Sequence, residues 1–448
     1  MSAVFHRNLR LTPPAAVRGG GCYLHDAEGR AYLDASGGAA VSCLGHSHPR
    51  VIQAVQEQVA RLAFAHTSFF TNEPAEELAR RLIEIAPPGF GQGRVMFLGS
   101  GSEAVEAALK LTRQYFIEIG QPQRTHYIAR RMSYHGNSLG ALSIGGHAAR
   151  RAVYEPLLMK SSFVSPCHPY RGKQEGETDD AYGDRLAIEL DQLIQRLGPE
   201  TVAAFVLEPV SGATLGSAPP VEGYMRKVRA VCDRYGVLMI ADEVMCGMGR
   251  TGDYFVSARE GVTPDIITLA KGLGAGYQPI GAALAGEKVV SAVQAGTGLL
   301  ANGHTYMSHA VVCAASLAVL NVMRDEDLLA RVRVLGEELE QALKAAFGEH
   351  PHVGDIRGRG LFWSIELVAD RRTKATFPKE NRVAQRIKER AQSLGLICYP
   401  GSGGVDGQTG DHILLAPPFV AGSAQIEEAV SKLSDALGHE LPLERLAS

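Results

Sequence analysis

The sequence lacks the features that mark several large classes of protein. It has no surplus of basic residues, since 45 Lys and Arg stand against 48 Asp and Glu and the formal net charge is −3. Nothing in this balance favours binding to nucleic acid or to an anionic membrane. The longest apolar runs, such as residues 237–241, are far too short to cross a bilayer. Residues 1–10 have no apolar core of the secretory kind, so the sequence predicts a cytoplasmic protein.

Paired cysteines and metal-ligand spacings are also missing. The seven cysteines are scattered, odd in number and never spaced as Cys-x-x-Cys, which predicts reduced thiols. Cys43 and Cys246 lie beside glycine-rich motifs, but no separate His/Asn motif indicates a catalytic thiol. His46 and His48 resemble a metal pair, yet Pro49 follows directly and no further ligand joins them. The sequence therefore predicts a loop turn here and no metal site.

What the sequence does contain is a long alternation of short apolar strands and amphipathic helices. Residues 94–98, 203–207, 237–241 and 265–269 are predicted strands, and several are continuous apolar runs. Such runs are typical of strands whose two faces are both covered by helices. The alternation predicts an α/β fold with a doubly wound, mostly parallel sheet and a site at the carboxyl ends of its strands.

Towards the carboxyl terminus the pattern changes to that of an α+β domain. A charged amphipathic helix is predicted for residues 325–347, and a strand for residues 396–399. The hairpin pattern at residues 23–33 is predicted to pack with this part, and residues 171–183 to form a surface loop. We therefore predict a large domain and a small α+β domain, with residues 61–325 in the large one and residues 1–60 and 326–448 in the small one.

A candidate phosphate-binding turn follows the first of these strands. Gly99-Ser100-Gly101-Ser102-Glu103 lies between the strand at residues 94–98 and a helix. Glycine lets the backbone approach a ligand, hydroxyls add donors, and a helix N-terminus favours an anion. An alternative is that Ser102 is simply an N-cap with Glu106 nearby. The turn lacks the lysine of a P-loop and the spacing of a dinucleotide fingerprint, so nucleotides are disfavoured.

Two strands end in carboxylates, and a third is followed by a lysine. Asp242 and Glu243 follow residues 237–241, Glu208 follows residues 203–207, and Lys271 comes just after residues 265–269. Desolvation at a strand end lowers the pKa of a lysine and makes its amine nucleophilic towards aldehydes. A phosphate site, an acid for a pyridine nitrogen and an imine-forming lysine are what pyridoxal 5′-phosphate (PLP) requires.

Several short motifs extend this pattern along the chain. They are Ser100-Gly101-Ser102-Glu103, Tyr134-His135-Gly136, Glu208-Pro209, Ala241-Asp242-Glu243-Val244, Lys271-Gly272 and Gly303-His304-Thr305-Tyr306. In this order the sequence resembles the class III aminotransferases, fold-type I PLP enzymes that include the ω-aminotransferases. The resemblance covers nearly the whole chain.

The resemblance implies a role for each matching residue. Lys271 would form the internal aldimine and then move protons as a general base and acid. Asp242 would pair with the ring nitrogen, and Glu208 would help to fix the hydrogen bonds of the site. The other cofactor-binding residues would be Ser100, Gly101 and Ser102 at the phosphate, Tyr134 and Val244 on the two faces of the ring, His135 beside them, and Thr305 from the partner subunit. A shared Thr305 implies a homodimer, with a tetramer as the alternative assembly.

The residues that would select the substrate depart from the family. Many pyruvate-dependent members carry an arginine where this chain has residues 407–411, and the 4-aminobutyrate group has one where this chain has Asn137. Arg150 or Arg151 are possible substitutes, although a surface role is favoured for each. The small residues 37–40, including Ala40, predict a roomy substrate pocket, with Phe69 and Phe70 as one apolar wall.

These observations predict a PLP-dependent transfer of an amino group from a primary amine, diamine or ω-amino acid to a 2-oxo acid, with pyruvate favoured over 2-oxoglutarate. An aminomutase, a racemase or a decarboxylase would keep the same lysine and acid. A PLP-binding regulatory domain is disfavoured because the chain has no DNA-binding module. A nicotinamide-dependent dehydrogenase is disfavoured by the missing GxGxxG.

Overall fold

A computed structural model describes residues 2–442. Its strands share short lengths and mostly buried side chains. They are β1 (Ala16–Gly20), β2 (Tyr23–Asp26), β3 (Ala31–Asp34), β4 (Arg94–Leu98), β5 (His126–Arg130), β6 (Ser162–Val164), β7 (Val202–Leu207), β8 (Leu238–Asp242), β9 (Ile266–Leu269), β10 (Gly281–Ala285), β11 (Val353–Arg359), β12 (Phe362–Leu367), β13 (Leu396–Ile397), β14 (Tyr399–Gly401) and β15 (Asp411–Leu415).

The helices range from single turns to five-turn segments. They are α1 (Gly37–Ala40), α2 (Pro49–Arg61), α3 (Glu73–Glu84), α4 (Gly101–Glu118), α5 (Leu139–Ser143), α6 (Ala148–Arg151), α7 (Pro169–Gly172), α8 (Asp179–Leu197), α9 (Tyr224–Tyr235), α10 (Val256–Arg259), α11 (Glu287–Ala295), α12 (Ala310–Asp325), α13 (Leu328–Phe347), α14 (Val383–Ser393) and α15 (Ser423–Glu440). Among residues 2–442, no helix combines the length and apolarity needed to span a membrane.

The central sheet has seven strands in the order β4-β10-β9-β8-β7-β5-β6. Only β10 runs antiparallel to its neighbours, and the remaining pairings are parallel. Every residue of β7, β8 and β9 is buried, because helices cover both faces of the sheet. The prediction of a doubly wound, mostly parallel α/β sheet is confirmed. The neighbouring strands β7, β8 and β9 all end at the carboxyl edge of this sheet, so the side chains at their ends lie close together.

Two four-stranded sheets lie outside the central sheet. One has the order β1-β2-β3-β13 and the other β11-β12-β15-β14. Strand β13 pairs in parallel with β3, placing Leu396 beside Leu33, so the two ends of the chain share one sheet. The predicted hairpin is formed by β2 and β3. The domain bounds at residues 61 and 325 stay a prediction.

Three predicted elements differ from the structure. The helix predicted from residue 325 begins only at Leu328, because Asp327 adopts a left-handed conformation (φ +46°) that ends α12 and separates it from α13. The strand predicted at residues 396–399 divides between two sheets on either side of Cys398. The loop predicted at residues 171–183 is wrong in its second half, since Thr178 caps α8 by accepting from Ala181 N at 3.2 Å.

Candidate active site

A cavity of about 460 Å³ opens at the carboxyl edge of the central sheet. Its walls come from the N-terminus of α4, from the turn after β5 and from the ends of β7, β8 and β9. The predicted site residues among its lining are Ser100, Gly101, Ser102, Tyr134, His135, Glu208, Asp242, Val244 and Lys271. The fold therefore brings together residues from five separate segments of the sequence.

The N-terminus of α4 forms one end of the cavity. Ser100 is its N-cap, with Oγ accepting from Glu103 N at 3.2 Å, while Glu103 Oε2 accepts from Gly99 N at 2.7 Å. The alternative that Ser102 is the N-cap is wrong, because Ser102 lies in the first turn. Backbone N–H groups in a first turn lack intrahelical partners and attract anions. This end of the cavity suits a phosphate group.

Glycine is required where α4 meets its neighbours. A Cβ on Gly101 would lie 3.0 Å from Val244 Cγ1. Gly136 has φ +139°, and a Cβ there would lie 2.8 Å from Ser102 Oγ. Ser102 Oγ also accepts from Asn137 N at 2.9 Å. These close approaches pack the turn after β5 directly against the N-terminus of α4.

Asp242, the last residue of β8, also lines the cavity. Its Oδ1 accepts from Val244 N at 3.1 Å and from Thr268 Oγ1 at 3.2 Å, and its Oδ2 lies 2.8 Å from His135 Nδ1. A carboxylate only accepts hydrogen bonds, so His135 holds its proton on Nδ1 when Asp242 is ionised. The carboxylate is thus fixed in position and kept almost fully buried.

Glu208 links two loops beneath the cavity. Its Oε1 accepts from Tyr134 N at 3.0 Å, and its Oε2 accepts from Gly212 N at 2.7 Å. Burial raises the pKa of this carboxyl group. With both oxygens engaged by backbone amides, Glu208 positions the Tyr134 segment, and its role at a bound cofactor stays a prediction.

Lys271 follows β9 in a left-handed conformation (φ +44°) that is uncommon for a residue with a side chain. Non-glycine residues in this region cost about 1–3 kcal/mol each and cluster at active sites. Burial lowers the pKa of the Lys271 amine, and the charges of Asp242 and Glu208 act in the opposite direction. The amine therefore has a larger neutral fraction near neutral pH than an exposed lysine has.

Other predicted pocket residues lie outside the cavity lining. Thr305 is exposed, and its role in a partner subunit stays a prediction. Phe69 and Phe70 are also exposed, with 79% and 68% of their surface accessible. Ala40 is buried in a core cluster, while its neighbour Val41 lines the cavity. A wall built from Phe69 and Phe70 stays a prediction, because it is not formed within one chain.

Sequence reasoning missed several residues of the cavity wall. Gln278, Pro279 and Ile280 line it from the loop between β9 and β10, and Ala213 from the loop after β7. The glycines that follow Lys271 in the sequence were the available signal for the first group. Ala213 carried no signal, because nothing in its residue type indicates a site.

The groups that line the cavity fit the chemistry of pyridoxal phosphate. The first turn of α4 offers amides for a phosphate, and Asp242 offers a fixed, buried carboxylate for a pyridine nitrogen. Tyr134 and Val244 line the same cavity. Lys271 supplies an amine with a lowered pKa. Within the described residues, no group of three or more His, Cys, Asp or Glu side chains is arranged to hold a metal ion.

Comparison with known proteins gives a consistent picture. The model of the family Aminotransferase class-III matches residues 4–437. An uncharacterised aminotransferase of Schizosaccharomyces pombe is 46% identical, over 96% of this chain and 94% of that protein. Diaminobutyrate–2-oxoglutarate transaminase of Halomonas elongata is 35% identical, over 97% and 96%. A PLP-bound aminotransferase mutant from Vibrio fluvialis matches with a TM-score of 0.89 at 34% identity, covering 96% of this chain and 93% of that one.

The class that this fold and site define is the fold-type I pyridoxal-phosphate enzymes. Within this class, the chain belongs to the class III aminotransferases. The predictions of fold class, family and cofactor are thereby confirmed.

Proposed function

We propose that this aminotransferase moves an amino group from a primary amine, diamine or ω-amino acid to a 2-oxo acid in two half-reactions. The observation that carries the proposal is the cavity in which Lys271, Asp242 and the N-terminus of α4 come together. Pyridoxal phosphate, when bound, supplies an electron sink for the carbon that gains or loses the amino group.

The chain's own residues hold the cofactor and move the proton. The first turn of α4 would hold the phosphate and Asp242 the protonated pyridine nitrogen, while His135 fixes the orientation of Asp242. Tyr134 and Val244, which both line the cavity, would contact the ring. The Lys271 amine would hold the cofactor, and the same amine can accept and donate a proton in the cavity.

A screen of amine donors against 2-oxo acid acceptors tests the proposal. The purified enzyme is given one donor at a time, and the change in cofactor absorbance during the half-reaction is recorded. An amino acid product that forms only when an acceptor is added supports transfer. Product analysis that finds an isomerised, racemised or decarboxylated donor without acceptor would favour the aminomutase, racemase or decarboxylase alternative instead.

Pyruvate is expected to be a better acceptor than 2-oxoglutarate. The loop between β14 and β15 has no arginine, and Asn137 occupies the other family position. An arginine–carboxylate pair in a desolvated site is worth about 1.5–3 kcal/mol, so its absence weakens the grip on a distal carboxylate. Pyruvate has no distal carboxylate, so the absence of this arginine does not weaken its binding in the same way. Steady-state kcat/KM values for the two acceptors with one common donor decide the question.

A tenfold preference for 2-oxoglutarate would overturn this expectation. It would place the enzyme with relatives such as the diaminobutyrate–2-oxoglutarate transaminase, whose name states that acceptor. It would also mean that the site contains a group that binds the distal carboxylate of 2-oxoglutarate, although neither of the two family positions holds an arginine.

We also propose that the functional unit is a homodimer with shared active sites. Support comes from a set of exposed apolar and aromatic side chains around Thr305. Phe64 contacts Tyr306 edge-on with ring centroids 5.5 Å apart, although Tyr306 is 69% exposed. Leu299, in the same segment, is 72% exposed. Clustered exposed apolar groups of this kind mark association surfaces, and a tetramer would extend the same arrangement.

Hybrid dimers provide a test of the shared site. Thr305→Ala is expected to weaken PLP retention, and Thr305→Asp to inactivate the enzyme because its charge repels the phosphate. Mixing Lys271→Ala chains with Thr305→Asp chains should restore part of the activity, since one site of each hybrid has both native residues. The measurement is activity after co-refolding or subunit exchange, with each variant alone as control. Full activity in a demonstrated monomer would contradict the proposal.

A further inference from the structure

Arg150, in the short helix α6, lies beside the cavity without an ionic partner. Its guanidinium carbon is 4.7 Å from the centroid of the Tyr134 ring, and Tyr134 lines the cavity. Arg150 is exposed, and among the described residues no carboxylate lies within 4.0 Å of its side chain. The adjacent Arg151 differs, because its Nη1 donates to the carbonyls of Leu142 and Gly145 at 3.2 and 3.1 Å.

The loop between β14 and β15 packs against the turn that carries Arg150. A Cβ on Gly407 would lie 3.1 Å from Ala148 Cβ, and one on Gly403 would lie 3.2 Å from His147 Cε1. The same loop reaches the cavity wall, since a Cβ on Gly404 would lie 3.3 Å from the carbonyl oxygen of Thr214, next to Ala213. The loop itself contributes no arginine. On this side of the cavity, the cation comes from α6.

Three other arginines near the site are held by hydrogen bonds or by an ion pair. Arg130 donates to Ser211 Oγ at 3.1 Å and to the Glu208 carbonyl. Arg250 donates to the carbonyls of Leu361 and Pro417. Arg359 pairs with Glu260 at 2.8 Å. Arg7, in the exposed N-terminal stretch, is the second arginine whose charge acts on the pKa of Tyr134, after Arg150.

We propose that Arg150 binds the carboxylate of the 2-oxo acid acceptor. A guanidinium accepts a carboxylate in a bidentate, charge-assisted geometry. Its resting contact with Tyr134 is a cation–π contact at an exposed position, which is weak, so the side chain can move to a substrate and away from an amine donor that has no carboxylate. A single cation at this position suits a monocarboxylate such as pyruvate. The inference rests on the proposed aminotransferase activity and names the residue that selects its acceptor.

The test compares acceptors with and without a carboxylate. Arg150→Ala and Arg150→Lys enzymes are assayed with one amine donor and either pyruvate or propanal. For Arg150→Ala, kcat/KM for pyruvate should fall about 10- to 100-fold, mostly through KM, because charge-assisted contacts are worth that much. For propanal it should stay within about twofold. Arg150→Lys should recover part of the loss, since it keeps the charge without the planar fork.

A binding measurement that needs no turnover supports the kinetic test. Propanoate, which has the carboxylate but no reacting carbonyl, is titrated into the holoenzyme by calorimetry. Its Kd should weaken by a similar factor in Arg150→Ala, while the cofactor content per subunit stays unchanged. Arg7→Ala is the matched control, because it removes a neighbouring exposed charge, and it should leave both measurements as they are.

The outcomes separate the inference from the proposed function. An equal fall for pyruvate and propanal, or loss of cofactor from Arg150→Ala, would overturn the inference and make Arg150 a support for Tyr134. A carboxylate-specific loss in Arg7→Ala alone would overturn it in favour of Arg7. If the unaltered enzyme transfers no amino group to any acceptor, the proposed function fails, whatever the propanoate titration gives.

Discussion

Lys271→Ala is expected to abolish turnover, with a loss of about 10⁴-fold or more in kcat. The variant removes both the anchor of the cofactor and the group that carries the proton, and no other amine is among the residues lining the described cavity. Some PLP should still bind non-covalently, because the first turn of α4 is unchanged. Borohydride treatment followed by peptide mapping should find the reduced cofactor on Lys271 in the unaltered enzyme and on no residue in the variant.

Lys288→Ala is the matched control for this experiment. Lys288 is about half exposed, pairs with the largely buried Asp265 and lies outside the cavity lining, so its removal should change activity by less than twofold. Near-normal turnover in Lys271→Ala, or a borohydride adduct on a different lysine, would contradict the assignment of Lys271 and with it the proposed site.

Asp242→Asn is expected to lower kcat by about 10³-fold, which corresponds to about 4 kcal/mol of transition-state stabilisation. An amide cannot keep a pyridine nitrogen protonated, and it also leaves His135 Nδ1 without its anionic partner. Asp242→Glu should lose less, because it keeps the charge and shifts it by one methylene. The measurement is single-turnover rate with a good donor, together with the absorbance of the bound cofactor.

Glu243 offers a control at the adjacent position. It is fully buried, and it accepts from Val256 N at 2.7 Å and from Ser257 N at 2.8 Å on the side of β8 away from the cavity lining. Burial raises its pKa to about 7. Glu243→Gln should therefore reduce the melting temperature rather than the chemical rate. If Asp242→Asn retained activity within about tenfold while Glu243→Gln lost it, the partner of the ring nitrogen would be Glu243.

The residues at the ends of the strands could be predicted from the sequence for a physical reason. Glu208 and Asp242 each follow a continuous apolar run, and Lys271 follows one interrupted only by Thr268. Such runs in a parallel sheet end at one edge. That these three residues lie close together could therefore be predicted without knowing the conformation of the loops. The resemblance to a family then assigned roles that residue types alone left open, such as which of Asp242 and Glu243 lines the cavity.

The parts that could not be predicted depend on long-range packing. Both Ser100 and Ser102 fit the pattern of an N-cap, and the hydrogen bond from Glu103 N to Ser100 Oγ decides between them only in the folded chain. A Cβ on Gly281 would lie 2.0 Å from the Ser100 carbonyl oxygen, so β10 packs closely against the N-terminus of α4. No local sequence pattern predicts this contact. The approach of Arg150 to Tyr134 likewise depends on where α6 packs. Side chains that reach the site from loops are thus the ones that sequence reasoning misses.

The parallel pairing of β3 with β13 has a consequence for how the protein is made. The N-terminal strands leave the ribosome first, but Leu33 and Asp34 find their partners only when Leu396 and Ile397 have been synthesised. At about 5–20 residues per second, β3 presents an unpaired edge for roughly tens of seconds on each nascent chain. An open strand edge is a template for unwanted pairing. During this period the nascent chain is exposed to aggregation through that edge, whatever the stability of the finished fold.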